Sequence, residues 1–402
     1  MLTTTYQRRS SGKHNGREIR QADVGPVAFR QEFHYRSDAG SPLRLGTSCS
    51  WRREFNDGRS WGPIVAHPTL LVRSSRARLV QCGQRHNFCP IDSYGSRPLP
   101  KALLIVNPSA TGVSARNRVV VQNVLAAAFD LTVAETNRRG HATRLAQGAG
   151  AAGFGLVISL GGDGTVNEVA NGLARGPITM GVLPGGSTNV FARTLGVIND
   201  PVAAADQLVG AAEVGNIRRI GLGNVNGRFF CFHVGMGFDA AVVAQVERRG
   251  TLKRWLGHPL FIYAAMATWA RHYDRGTPAF SVILPDGRSM DGLFAVAMNT
   301  DPYTFLGGRA LSLIPGIGLD DPLGLVNLSK LGLAGTVRAT LAAARGGGRL
   351  AKLRHVDVVE GLGSMVVHGH RPFPWQVDGD HLGDTERLEL RHEPDVLSVI
   401  VP

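Results

Sequence analysis

Three glycines around one aspartate, Gly161-Gly162-Asp163-Gly164, separate an apolar run, Leu156 to Leu160 broken only by Ser159, from a segment, Val166 to Leu173, spaced like a helix that buries one face. A strand, a glycine turn and a helix start in that order bring backbone N–H groups and a positive helix end to one point, an arrangement that holds phosphate oxygens. Gly161, Gly162 and Gly164 permit close approach because they lack a Cβ. Asp163 would face those phosphates, where a carboxylate helps only if it holds a metal ion or a nucleotide hydroxyl. Taken alone, the turn reads as an ordinary βα connection with Asp163 as helix N-cap.

The elements that must position this turn alternate regularly from Lys101 onward. Ala102 to Val106 reads as a buried strand, Asn107-Pro-Ser-Ala-Thr-Gly112 as a polar turn, and the stretch around Val119 to Phe129 as a helix. A strand over Leu131 to Ala134 runs to Thr136, and Gly140-His-Ala opens a second helix. Beyond the glycine turn come a strand over Ile178 to Leu183, the turn Pro184-Gly-Gly-Ser-Thr-Asn189, and a helix through Leu195. Such βα alternation predicts a parallel sheet with helices on both faces and all four polar turns at the carboxyl edge, where open α/β sheets bind ligands. After Asn216 short strands dominate: Ile217 to Gly223, Arg228 to Val234, Ala279 to Leu284, Leu293 to Met298, and Val356 onward. Helices are expected near Asp239 to Arg249, Pro259 to His272 and Gly332 to Arg345, within a second, mainly antiparallel domain. The expected division is therefore residues 1–98, 99–216 and 217–402.

Composition bounds the partners. The 402 residues are 43% apolar and carry a net charge of +13. Residues 1–100 hold 16 Arg/Lys against 7 Asp/Glu, which leaves a surplus of only 4 for the other 302. That weak field suits an anionic nucleotide or an anionic membrane surface and excludes a nucleic-acid partner. Cys49, Cys82, Cys89 and Cys231 are too scattered for a disulfide scaffold or a zinc site, so a reducing compartment is expected. No signal-like run opens the chain, and Pro259 to Ala270 is too short to span a bilayer, which predicts a soluble cytoplasmic protein. Residues 1–98 show no sustained period, so they are expected to be disordered, either as a basic tail or as sequence upstream of the native start. Arg248, Arg249, Lys253 and Arg254 precede Trp255 and the apolar stretch Leu260 to Trp269, which reads equally as a membrane-docking element or as a core helix with charged ends. His141 and His233 lack metal-spaced partners and read as structural.

Asn107-Pro-Ser109, Gly140-His-Ala142, Gly161 to Glu168, Pro184 to Asn189, Asn299 with Gly307-Gly308, and Val377-Asp-Gly-Asp380 stand in an order and spacing that resembles the diacylglycerol kinase catalytic-domain family. This family of lipid kinases belongs with NAD kinases in one superfamily, and the resemblance covers roughly residues 101 to 401. It implies a doubly wound α/β nucleotide-binding domain followed by a β-sandwich, with the ligand cleft between them. It also implies ATP and Mg²⁺ as cofactors and a lipid hydroxyl, diacylglycerol first, as acceptor at the inner face of the membrane. Carried over residue by residue, it places the nucleotide at Asn107, Pro108, Ser109, Thr111, Thr136, Gly161, Gly162, Asp163, Gly164, Thr165, Asn167, Gly186, Ser187 and Asn189. Glu168 would face the ligand or serve its helix's dipole. Asp380 is the expected base, with Asp378 as second choice, although Asp378-Gly379 is equally a standard hairpin turn. Metal contacts would fall to Asp163 and, near Leu319-Asp-Asp-Pro-Leu323, to Asp321, where Pro322 and Leu325 depart from the family and argue against a structural ion. Val190 also replaces a common Asp. The oligomeric state stays open, a homodimer included. The alternatives are an NAD kinase and a non-catalytic nucleotide- or lipid-binding protein.

Overall fold

The computed structural model describes residues 99–247, 277–330 and 332–402, together with the backbone of five strands between residues 29 and 71. These are β1 (Phe29–Arg36), β2 (Pro42–Trp51), β3 (Phe55–Asn56), β4 (Ser60–Trp61) and β5 (Ala66–Leu71), paired as an antiparallel β1-β2-β5 sheet and a β3-β4 hairpin. They belong to one unit of the chain, and Gly95–Pro402 forms the other. The rest of residues 1–98, with its expected disorder, lies outside the described residues. So does the basic and apolar segment from Arg248 to Arg275, with its expected helix.

The second unit begins with β6 (Lys101–Val106), α1 (Ala115–Ala126), β7 (Asp130–Glu135), α2 (His141–Ala149), β8 (Leu156–Gly161), α3 (Asp163–Leu173), β9 (Thr179–Pro184), α4 (Val190–Thr194) and α5 (Pro201–Glu213). The strands pair in parallel in the order β9-β8-β6-β7. The inner strands β6 and β8 are covered on both faces, which is why they are apolar apart from Lys101 and Ser159, whereas the edge strand β7 keeps Asp130, Thr132 and Glu135 exposed. Ala102, Leu104, Val106, Ile158 and Leu160 point toward α1 and α5, while Leu103, Ile105 and Val157 point toward α2 and α3. The doubly wound arrangement expected from the sequence is present.

From residue 217 the chain turns antiparallel, with β10 (Ile217–Val225), β11 (Arg228–Phe230), β12 (His233–Gly237), α6 (Phe238–Glu247), β13 (Phe280–Ile283), β14 (Ser289–Gly292), β15 (Phe294–Met298), β16 (Thr304–Leu306), β17 (Arg309–Leu311), β18 (Leu323–Leu328), α7 (Leu333–Ala344), β19 (Val356–Leu362), β20 (Ser364–Val377) and β21 (Asp380–Ile400). Alternation sorts the strand residues. Ala295, Ala297, Leu323 and Leu325 pack inward with Phe280, Phe373 and Leu388, whereas Val296, Met298, Val326 and Leu328 pack against α6 and α7. Strand β21 joins the two regions: its first half pairs with β20, its second half, Leu390 to Ile400, with β10, and Ser398–Val399 also run parallel to Thr179–Met180 at the edge of the α/β sheet. The hairpin that carries Asp380 is thereby tied to the parallel sheet by continuous backbone. Among the described residues, no helix is long and apolar enough to cross a membrane.

Candidate active site

The carboxyl edge of the parallel sheet is built from loops that lock onto one another. The Gly185 N–H donates to the Gly161 carbonyl at 2.8 Å, and the Gly112 N–H donates to the Gly185 carbonyl at 2.8 Å. A Cβ on Gly185 would stand 2.9 Å from Gly161 Cα, and one on Gly186 would stand 2.8 Å from Gly162 Cα. These glycines are thus required first by backbone-to-backbone packing of two turns. Asn107 ends β6 and fixes the next turn: its amide donates to Thr165 Oγ1 at 3.1 Å, and its Oδ1 accepts from the Ser109 N–H at 3.0 Å.

A cavity of about 300 Å³ opens at this edge. Asn107, Ser109, Thr136, Gly164, Thr165 and Glu168 line it together with Asn137, Arg138, Arg139 and Ala142, and Asp380 arrives from the antiparallel region. The Asp380 carboxylate lies over the first turn of α3, where a Cβ on Gly164 would meet its oxygens at 3.5 and 3.6 Å. Two guanidinium groups flank it, Arg139 and Arg228, each 3.9 Å from one carboxylate oxygen. A half-exposed carboxylate among cations, beside a helix N-terminus, suits proton acceptance next to a bound polyanion.

Asp378, two residues earlier, is buried and serves the hairpin. Its carboxylate accepts from the backbone N–H groups of Cys231 (2.7 Å), Phe232 (3.0 Å) and His233 (3.1 Å) and from the Asn167 amide (2.8 Å). Burial pushes its pKa up to about 6 against the pull of those four donors. Asn167 is also buried: it donates to the Phe229 carbonyl and accepts from the Arg228 guanidinium at 2.9 Å. The two residues therefore join α3, β11 and the hairpin.

A model of the diacylglycerol kinase catalytic domain matches residues 101–225. The "Probable lipid kinase YegS-like" protein of Pseudomonas fluorescens strain Pf-5 is 32% identical over 310 residues, covering 75% of this chain and 95% of that protein. The chain belongs to the diacylglycerol kinase catalytic-domain family. It is also 32% identical to a "Diacylglycerol kinase" of Bacillus subtilis strain 168 over 259 residues, covering 62% of this chain and 80% of that one. In fold it matches a diacylglycerol kinase crystal structure from Bacillus anthracis str. Sterne at a TM-score of 0.55 and 24% identity, over 75% of this chain and 97% of that chain.

Within this diacylglycerol kinase-family chain the expected site residues part into two groups. Asn107, Ser109, Thr136, Gly164, Thr165, Glu168 and Asp380 meet at the cavity. Pro108, Thr111, Gly161, Gly162, Gly186 and Ser187 are not among its lining residues. Asp163 turns toward α4: it accepts from Thr188 Oγ1 at 3.2 Å and from the Phe191 N–H at 3.2 Å, and burial raises its pKa. Asn189, buried at a φ of +48°, closes its own turn through Gly186 and reaches Asn199 at 2.8 Å. Glu168 accepts from the N–H groups of Gly140 (2.8 Å) and Ala142 (3.0 Å), so the helix it caps is α2 rather than its own. Asp321 accepts from the Gly318 N–H at 2.8 Å, Asp320 pairs with Arg218, and Leu325 is a core residue of β18. Among the described residues, no group of three or more His, Cys, Asp or Glu side chains converges on a metal position. The sequence analysis missed Arg138, Arg139 and Arg228; the adjacent arginines just before Gly140 were a visible signal, and Arg228 gave none.

Proposed function

We propose that the protein transfers the γ-phosphoryl group of ATP to a lipid hydroxyl, with diacylglycerol as the leading acceptor and phosphatidic acid as the product. The observation that carries this reading is Asp380 over Gly164, a carboxylate from one region placed at the N-terminus of a glycine-turn helix from the other. The nucleotide phosphates would lie along Asn107, Ser109, Thr136 and the first turn of α3, with Arg138 and Arg139 offsetting their charge. Asp380 takes the proton from the acceptor hydroxyl as its oxygen bonds to the γ-phosphorus, and the bond from that phosphorus to the β-phosphate oxygen breaks to release ADP.

Phosphoryl transfer also calls for a divalent cation. Mg²⁺ beside phosphates takes one or two protein carboxylates. The carboxylates on the cavity wall are Glu168 and Asp380. Glu168 keeps lone pairs beyond the two N–H bonds it accepts, so it fits as the ligand and leaves Asp380 to the proton. When bound, the ion neutralises charge on the transferring group. The lipid would be met at the inner membrane surface by a peripherally attached protein.

The test is transfer of label from γ-labelled ATP to a total lipid extract in mixed micelles, with wild type and Asp380→Asn side by side. A labelled lipid made only by the wild type is the expected result, and its identity names the acceptor. A preparation that binds ATP yet labels no lipid sinks the proposal.

A further inference from the structure

Helix α7 is apolar on two opposite sides. Ala339, Ala342 and Ala343 turn inward and pack with Ile314, Val326 and Leu328. Val337 and Leu341, one turn apart on the far side, are 49% and 46% exposed, and the exposed Ala344 extends their stripe. A helix lying on a water-facing surface turns a polar face outward. This one presents aliphatic side chains instead.

The charges along the chain to either side of the stripe have one sign. From Pro322 to Val356 the chain holds Lys330, Arg338, Arg345, Arg349, Lys352 and Arg354 and no Asp or Glu. All six are exposed, and by helical spacing Arg338 and Arg345 border the Val337–Leu341 stripe along one edge. Elsewhere in the unit exposed or half-buried arginines meet carboxylates: Arg118 with Glu135, Arg175 with Glu393, Arg288 with Asp286 and Arg387 with Glu389. Among the described residues, none of the six near α7 forms an ion pair.

We propose that the outer face of α7, with the basic turn that follows it, is the surface by which the protein docks onto an anionic lipid bilayer. Val337 and Leu341 enter the boundary between headgroups and acyl chains, and the arginines lie among lipid phosphates, the layout of an interfacial helix. A nucleic acid would match the charge and leave the aliphatic pair without an apolar partner, because its affinity rests on phosphate neutralisation and base contacts. The inference rests on the peripheral attachment proposed above and names the surface that makes it, and α7 lies outside the cavity residues.

The test is co-sedimentation of the full chain, without nucleotide, with vesicles of phosphatidylcholine alone and of phosphatidylcholine with phosphatidylglycerol. Wild type is expected to sediment with the anionic vesicles and to be released by salt. Arg338→Gln with Arg345→Gln should weaken binding about 25-fold, at roughly fivefold for each charge near the surface. Val337→Ser with Leu341→Ser should weaken it roughly tenfold or more. Because all four positions are exposed, both variants should melt like wild type and keep its phosphoryl transfer in detergent micelles. Equal binding of wild type to the two vesicle types, or wild-type binding by both variants, overturns the proposal. Retention on heparin with no vesicle binding overturns it in favour of a polyanionic partner. Loss of micellar activity by wild type would strike the kinase reading and leave the vesicle result intact.

Discussion

Glu168 separates two roles that the cavity alone cannot. Its side chain lies on the cavity wall, so any substitution should impair nucleotide handling; stability is the discriminating quantity. Helix α2 begins at Gly140, which has no side chain to cap its own N–H groups, and the Glu168 carboxylate accepts from Gly140 and Ala142 instead. Loss of an N-cap costs about 1 kcal/mol and loss of an anion at a helix N-terminus about 0.3–1 kcal/mol. Glu168→Ala should therefore destabilise the protein by about 1.3–2 kcal/mol. Glu168→Gln keeps one acceptor oxygen and turns an NH₂ toward the other N–H, so about 1 kcal/mol is expected. Urea unfolding of the variants beside wild type gives the difference. Hydrogen exchange should show faster opening at Ala142 to Leu145 and little change in the core of β6 and β8. If Glu168→Ala unfolds within 0.5 kcal/mol of wild type, a margin below the usual cap range, with α2 exchange unchanged, the capping argument is refuted and the carboxylate is there for the ligand alone.

Other outcomes follow from contacts at the same edge. Gly185→Ala puts a Cβ 2.8 Å from Val113 Cγ2 and 2.9 Å from Gly161 Cα, so it should cost about 1–3 kcal/mol and weaken ATP binding; an unchanged melt with full affinity contradicts the packing account. Asp378→Asn leaves an amide where four N–H groups converge and should destabilise by about 1–3 kcal/mol; calorimetry that finds it neutral removes Asp378 as the hairpin's anchor. Burial holds His233 down at about 3, so the unfolded chain binds this proton more readily and the stabilisation, complete above about pH 6.5, is lost as pH falls toward the folded value. His233→Phe keeps a ring beside Tyr303 and removes the titration, so its stability relative to wild type should gain about 1.4 kcal/mol per pH unit below pH 6.5; parallel curves for the two proteins contradict the prediction.

The α/β half was legible because its inner strands, buried on both faces, leave nearly continuous apolar runs and because the turns after β8 and β9 are glycine-rich. Helix α5 was passed over although Asp200 caps it and Pro201 stands in its first turn, a start signal for any helix; of its buried positions Ala204, Ala205, Leu208 and Ala211 only Leu208 is large, which leaves a faint stripe. Strand β18 was hidden for a different reason. Leu325, weighed as a vacated ligand position, is a fully buried residue in a strand that opens just after Pro322. At the site, the loops were placed correctly by spacing, but spacing does not give side-chain direction. Asp163 follows Thr188 and Phe191, and Asn167 follows a partner 211 residues away.

Asp378 and Asp380 illustrate how backbone geometry directs two neighbouring side chains. Both sit in one Asp-Gly-Asp turn, and in sequence either could be turn chemistry or the base. Backbone geometry separates them: Asp378 at φ +48° and Gly379 at φ +84° reverse the chain, so the two carboxylates leave the hairpin toward different surroundings. One enters a nest of N–H groups from residues 231–233, where it anchors the turn and meets Asn167 on α3. The other is left at the cavity over Gly164, three residues before Asn167 on the same helix. The spacing between Gly164 and Asn167 on α3 thus sets how far Asp380 stands from the glycine turn. A change that releases Asp378 should move Asp380 as well as loosen the fold, and, if Asp380 is the base proposed above, Asp378→Asn should lower kcat by more than its effect on the nucleotide KM. An equal fall in kcat and in the fraction folded, with the KM unchanged, would confine Asp378 to stability.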